Sequence, residues 1–422
     1  MKPNLSTAFA LALAAAAAPA AAQYDGSYGS PQPQPPVPQP QQSAAAAQAP
    51  ASIKPSKAAQ NAIIALQTAV NANDVANIPA KLAAAQAVAT TKEDRYLIGS
   101  MRLKAAFAAN DTAGMSAAVD AIAASGYLDA TKTSDLYSSL GGTLYKAKQF
   151  PQAAAAYRRA LSINPNGAEN EQMLAEALIG AGQNAEGLAA FQRLIQASSA
   201  GGGKPREELY KRAVSLAYNA KLPGSIDLAR QWVTDYPTQS NWSDAIAIYR
   251  NLNMGDQEAT LDLLRLKQAM GTLNAKDYTD LAGAATDQLI FAEAQKVTDA
   301  GIAAKMIDPA SASGRDLVSV LRVKAKPTAT DLAEAMKVAA NAKALMRIGD
   351  NYAALGDYSQ AVAAYKLAMG KPDGDAGLAN LHIGMALARS GDKAGATAAL
   401  NSVTGPHSAL AKYWLVYVAQ KA

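Results

Sequence analysis

The chain has 422 residues, of which 39 are Lys or Arg and 34 Asp or Glu, giving a net charge of +5, and half of its residues are hydrophobic. It contains no cysteine and two histidines, which excludes disulfides, thiolate catalysis, cysteine-ligated metals, a lipid anchor carried on cysteine and a histidine-rich metal site. The basic and acidic residues are interspersed along the chain, a pattern that serves solubility and speaks against a nucleic-acid surface.

In chain order, the first residues read as an address. Lys2, the apolar run Leu5 to Ala18 and the small-residue pair Ala20 and Ala22 predict a signal peptide over 1–22, cleaved after Ala22. The apolar run is too short for an ordinary spanning helix, and no later stretch is long and apolar enough, so no membrane span is expected. Export of an unanchored chain without cysteine predicts a periplasmic or secreted location. Residues 23–55 form a Pro/Gln/Ala-rich linker that is expected to be disordered. Its alternating prolines, Pro31 to Gln42, favour polyproline II and block helix, as suits a spacer or a ligand for a proline-binding domain.

From Ser56 onward helix follows helix, with no alternating strand pattern and with Gly, Asn, Asp and Pro at the connections. Helices this short are marginal alone and need neighbours, so the fold class is all-α. Residues 56–200 form an N-terminal solenoid segment. Residues 201–204 are a glycine-rich loop, either a hinge or a long inter-repeat connection. Residues 205–422 form a C-terminal segment. Two early helix pairs, about Ser56–Thr91 and Lys92–Tyr127, show helical periodicity without a further signature. Between Ser134 and Pro165, Tyr137, Leu140, Gly141 and Leu144 fall on one helix face, and Ala153, Tyr157 and Ala160 on one face of a second helix. The small residues let two backbones approach, and the large ones fill the space beside them.

This pattern resembles the tetratricopeptide repeat family, whose 34-residue unit is a helix pair with large and small residues at these positions. A second unit starts at Ala168 (Leu174, Ala175, Leu178, Gly187, Phe191). A third starts near Ala342 (Ile348, Gly349, Tyr352, Ala361, Tyr365, Ala368). A fourth starts near Gly377 (Ile383, Gly384, Leu387, Ala396, Leu400). Between these pairs the pattern decays, and Ser311 to Asn341 fits worst. The resemblance implies a right-handed α-solenoid of roughly nine or ten helix hairpins.

It also implies a concave groove, lined by the first helix of each pair, that holds a protein or peptide partner. Outward-facing first-helix positions then nominate Tyr145, Gln172, Glu176, Tyr210, Lys211 and Tyr218, with the tyrosines as rigid amphipathic anchors. The family's two-carboxylate clamp is not supplied: Arg347 fits one slot, but Asp350 stands where Asn is needed.

No catalytic, cofactor or metal residue is expected. "AGGGKP" lacks both the first glycine of a phosphate loop and the hydroxyl residue after Lys204. His382, between Leu381 and Ile383, reads as a groove-facing or packed histidine rather than a catalytic base, and the acids of "REEL" and "KEDR" suit positive helix starts. The aromatic stretch Ala409–Ala422 is expected to cap the last repeat or to dock on a partner or membrane surface. The expected function is a non-catalytic exported scaffold that binds a protein or peptide partner, with cell-envelope assembly as its setting. The alternatives are a glycan-binding or polysaccharide-acting envelope protein that uses the tyrosines with Glu169 and Glu176, and a self-associating structural subunit.

Overall fold

The computed structural model describes residues 53–253, 257–324 and 327–421. The expected signal peptide, 1–22, and nearly all of the expected linker, 23–55, lie outside the described residues. Those residues hold 21 α-helices and one short 3-10 helix, with no strand among them. The chain is an all-α helical repeat solenoid. It divides into two compact units between Leu194 and Ile195, ahead of the glycine-rich loop.

The first unit contains α1 (Gln60–Asn71), α2 (Ile78–Val88), α3 (Lys92–Ala108), α4 (Thr112–Ala124), α5 (Ala130–Lys146), α6 (Phe150–Ile163), α7 (Ala168–Gly180) and the start of α8 (Asn184–Ala200). Short polar side chains start several of these helices. Thr91 and Asp94 form a reciprocal capping box on α3, and Asp111 and Asp129 accept backbone N–H groups at the starts of α4 and α5. Two of the hairpins, α3 with α4 and α5 with α6, close by a small residue meeting a large one. A Cβ on Gly99 would fall 2.7 Å from Ile122, and one on Gly141 would fall 2.8 Å from the Tyr157 ring. Leu103, Met115, Ile122, Leu140, Tyr157 and Leu178 belong to one continuous core running from α3 to α7.

The second unit contains α9 (Glu207–Asn219), α10 (Ser225–Asp235), α11 (Gln239–Leu252), α12 (Gln257–Met270), α13 (Ala275–Asp287), α14 (Phe291–Ala303), α15 (Ala312–Val323), α16 (Ala329–Val338), α17 (Ala342–Leu355), α18 (Tyr358–Met369), α19 (Ala376–Ser390), α20 (Lys393–Asn401) and α21 (Ser408–Gln420). The first helices α17 and α19 both end at a glycine in the left-handed conformation, Gly356 at φ 88° and Gly391 at φ 90°, where a side chain would be strained.

The segment that fits the repeat worst has a structural reason. α14 packs directly on α17, with Ala292 N–H donating to Asn351 Oδ1 at 3.2 Å and Lys296 Nζ to the Ala354 carbonyl at 3.0 Å. α15 and α16 are therefore displaced from between them. α15 places Leu321 in the core shared by α12, α13 and α14, and α16 places Leu332 in that of α17 and α18.

α21 does more than cap. A simple cap would present a polar outer face, but Leu410, Tyr413, Trp414, Tyr417 and Val418 are all buried. The helix packs on α19 and α20 on one side and on α10 and α12 on the other. The Tyr413 hydroxyl donates to the Ile226 carbonyl at 3.0 Å, and the Tyr417 hydroxyl to the Ala269 carbonyl at 3.0 Å. Gln420 Nε2 donates to the Val233 carbonyl at 2.8 Å. The second unit thus closes upon itself: α21 covers the last hairpin, α19 and α20, and also α10 and α12.

Candidate functional site

In the first unit, Tyr145 lies at the end of α5, and Gln172 and Glu176 lie on α7. All three are half-buried. The two first helices touch, joined by Ser138 Oγ donating to Asn170 Oδ1 at 2.6 Å. The Tyr145 ring meets Phe150 edge-on at 5.3 Å, which fixes its direction from the adjoining turn.

In the second unit the nominated residues fare differently. Tyr210 is 3% exposed, its hydroxyl donates to Asp235 Oδ2 at 2.6 Å and its ring is edge-on to Tyr236. Burial, reinforced by that carboxylate, raises the phenol well above its usual range. Its assignment as an outward-facing anchor is corrected: it is a core residue tying α9 to α10. Lys211 is exposed and pairs with Glu207 at 3.2 Å. Glu207 also accepts from Trp232 Nε1 and Asn241 Nδ2. Tyr218 is half-buried, its hydroxyl accepting from Asn251 Nδ2 at 3.1 Å. Where α12 ends near α21, an open cleft of about 400 Å³ is lined by Trp242, Met270, Thr272, Tyr417 and Lys421 among others. Its two aromatic rings are already engaged, Trp242 Nε1 donating to Gln420 and Tyr417 to Ala269.

The strongest concentration of charge was not singled out by residue pattern. Arg265 of α12 is buried and reaches three carboxylates. Nη1 donates to Asp262 Oδ1 at 2.8 Å, Nη2 to Glu293 Oε2 at 2.5 Å, and Nη2 lies 3.2 Å from Asp350 Oδ2. His382 of α19 lies between Asp350 and Asp262. The Tyr365 hydroxyl donates to Asp350 Oδ1 at 2.7 Å. Burial pushes the Asp350 carboxyl up, but Arg265, His382 and Tyr365 together hold it well below the usual carboxylate range. The adjoining cavity, about 10 Å³ and bordered by Arg389, has room for about one water. This cluster joins α12, α14, α17, α18 and α19; it offers no space for a substrate. Among the described residues, no group of His, Asp and Glu is arranged to hold a metal ion, and no helix is long and apolar enough to cross a membrane.

The same small-against-large contact recurs at one spacing in three hairpins: Gly141 with Tyr157, Gly349 with Tyr365, and Gly384 with Leu400. Two of these hairpins coincide with matches to the family model of the tetratricopeptide repeat, over residues 134–166 and 342–370. The chain is a tetratricopeptide repeat protein. No curated protein matches it at a significant level. Among solved structures, the TPR2AB domain:pHSP90 complex of yeast Sti1 is 14% identical, with 68% of this chain and 99% of that chain covered and a TM-score of 0.26. The structure of Naa15/Naa10 bound to HypK-THB is 13% identical, with 81% of this chain and 63% of that one covered and a TM-score of 0.31. The pentatricopeptide repeat protein PPR10 from maize is 15% identical, with 84% and 51% covered and a TM-score of 0.23. At these scores the likeness says nothing of how the tetratricopeptide repeats of this chain are arranged.

Proposed function

We propose that this tetratricopeptide repeat protein is a non-catalytic interaction scaffold that offers the first-helix surface of α5 and α7 to a protein or peptide partner. One contrast carries the reading. In the second unit the first helices α17 and α19 bury Asp350 and His382 against α12 of the same chain, so the surface of those two helices is already filled at that point. In the first unit Tyr145, Gln172 and Glu176 keep part of their surface open to water. An amphipathic ring beside an amide and a carboxylate on neighbouring helices suits a polar, extended peptide with an apolar anchor. The N-terminal pattern supports an exported protein at work in the cell envelope.

A photo-crosslinking residue placed at 145 or 176 of the full chain in its native extract is expected to capture a partner peptide identifiable by mass spectrometry. The same residue at the exposed Ser359 of α18 should not. Equal capture from all three positions, or none from 145 and 176, would overturn the assignment of the surface. N-terminal sequencing of the mature chain tests export separately: a start at Gln23 is expected, and a retained Met1 would refute it.

A further inference from the structure

The two ring nitrogens of His382 face the same kind of partner. Nδ1 lies 2.9 Å from Asp350 Oδ1, and Nε2 lies 3.0 Å from Asp262 Oδ2, 120 residues away in sequence. An ionised carboxylate can only accept a hydrogen bond, and a neutral imidazole donates from only one nitrogen. A neutral ring would therefore set a lone pair against a carboxylate at a buried site. Shifting the proton to a carboxylate is opposed by the other donors. Asp262 Oδ1 accepts from Arg265, and Asp350 accepts from Tyr365 and faces Arg265. The groups around the ring are Asp262 and Arg265 on α12, Glu293 on α14, Asp350 on α17, Tyr365 on α18 and Arg389 on its own helix. An imidazolium places a second cation beside Arg265 among the buried anions Asp262, Glu293 and Asp350. A neutral ring leaves Arg265 as the one buried cation paired with all three.

We propose that His382 is a proton-held latch: its imidazolium ties α19 to α12, and loss of one ring proton opens the second unit along that contact. Burial alone would lower the affinity of the ring for its proton, but the two carboxylates outweigh it and raise the pKa from 6.5 to about 10. A histidine raised in this way contributes stability that is whole below about pH 6.5 and is lost as the pH rises through about 10. The latch therefore weakens from neutral toward alkaline pH, by up to about tenfold in the opening constant per pH unit.

The chain has two histidines, so ¹⁵N NMR of the full-length protein can separate their ring signals. At pH 8 both ring nitrogens of His382 are expected to be protonated. A singly protonated ring at that pH overturns the proposal. Opening is read by the hydrogen-exchange protection factors of α21 amides. These should fall with pH between 7 and 9.5, while those of α6 in the first unit should not; parallel behaviour of the two helices would overturn the opening step. In His382→Gln, which cannot titrate and offers one donor group and one acceptor in place of the two donors of the imidazolium, the pH slope of α21 protection should vanish, and a slope equal to that of the wild type would overturn the role of the ring. Should that variant fail to fold, the NMR signals and wild-type protection factors still decide.

Discussion

Gly141 faces the ring of Tyr157 so closely that a Cβ at 141 would lie 2.8 Å from it, whereas a Cβ on the next residue, Gly142, would meet only the Tyr157 hydroxyl at 3.6 Å. The two glycines are neighbours in α5 and should respond oppositely to one added methyl group. Gly141→Ala forces the ring out of its seat and should cost about 1–3 kcal/mol. Gly142→Ala removes glycine's backbone freedom in a helix at a site with room, and should be neutral or stabilising by up to about 1 kcal/mol. Thermal unfolding followed by far-ultraviolet circular dichroism checks this; equal destabilisation by both would refute the close-packing account.

A second prediction concerns Asp94, which is 0% exposed. Its carboxylate accepts backbone N–H groups of Ser56 at 2.7 Å, Thr90 at 3.1 Å and Thr91 at 3.1 Å. Burial pushes this carboxyl up, but the bonds from Ser56, Thr91 and Thr90 outweigh it and hold it well below the usual range. A lowered carboxyl contributes stability above its unfolded value of 3.8 that is lost as the pH falls below it. Asp94→Ala leaves those donors unpaired and should cost about 1–3 kcal/mol. The local readout is amide exchange at Ser56, Thr90 and Thr91, which should quicken in the variant at pH 6. Unchanged protection of all three would contradict the bonding.

The hairpins were legible where the small–large pair kept the family spacing, as at Gly141 and Tyr157 or Gly349 and Tyr365. In α3 and α4 the same contact exists between Gly99 and Ile122, but the residues are spaced more widely, so the signature vanished while the packing did not. From Leu381 and Ile383 beside it, His382 was legible only as either groove-facing or packed; its burial and its partners were not, because Asp262 is 120 residues distant. A signal was present in α12. Asp262 and Arg265 stand within a run of buried leucines, Leu261, Leu263, Leu264 and Leu266, and a helix apolar on every side buries any charge it carries. Tyr210 misled because one aromatic serves equally well as an interface anchor and as a core residue; only its bond to Asp235 distinguishes them.

That correction yields a third prediction. Tyr210→Phe removes only the hydroxyl bond to Asp235 and should cost about 1 kcal/mol. Tyr210→Ala empties a core position and should cost about 3–5 kcal/mol. Tyr218→Ala, at a half-buried site, should stay below about 1.5 kcal/mol. All three tryptophans of the chain, Trp232, Trp242 and Trp414, are buried in the second unit, so urea unfolding followed by tryptophan fluorescence reads that unit. Similar costs for Tyr210→Ala and Tyr218→Ala would restore Tyr210 as a surface residue.

The fourth prediction tests whether the buried charges act as one group. Arg265→Met removes the cation that faces Asp262, Glu293 and Asp350, leaving buried carboxylates uncompensated, and should cost about 3–5 kcal/mol. Glu293→Gln leaves Arg265 short of its closest acceptor and should also destabilise. Together the two changes remove one charge of each sign, so the double variant should be more stable than the sum of the single costs implies. The recovered coupling should be about 1–3 kcal/mol. Burial raises the Asp350 carboxyl, but Arg265 heads the interactions that hold it low. Its contribution is present above pH 3.8 and is lost on acidification, and Arg265→Met should flatten that acid limb. Urea unfolding by tryptophan fluorescence at pH 3 and pH 6 measures both effects. Costs that add to within about 0.5 kcal/mol would mean that Arg265 and Glu293 contribute independently, and that closure of the second unit does not depend on their pairing.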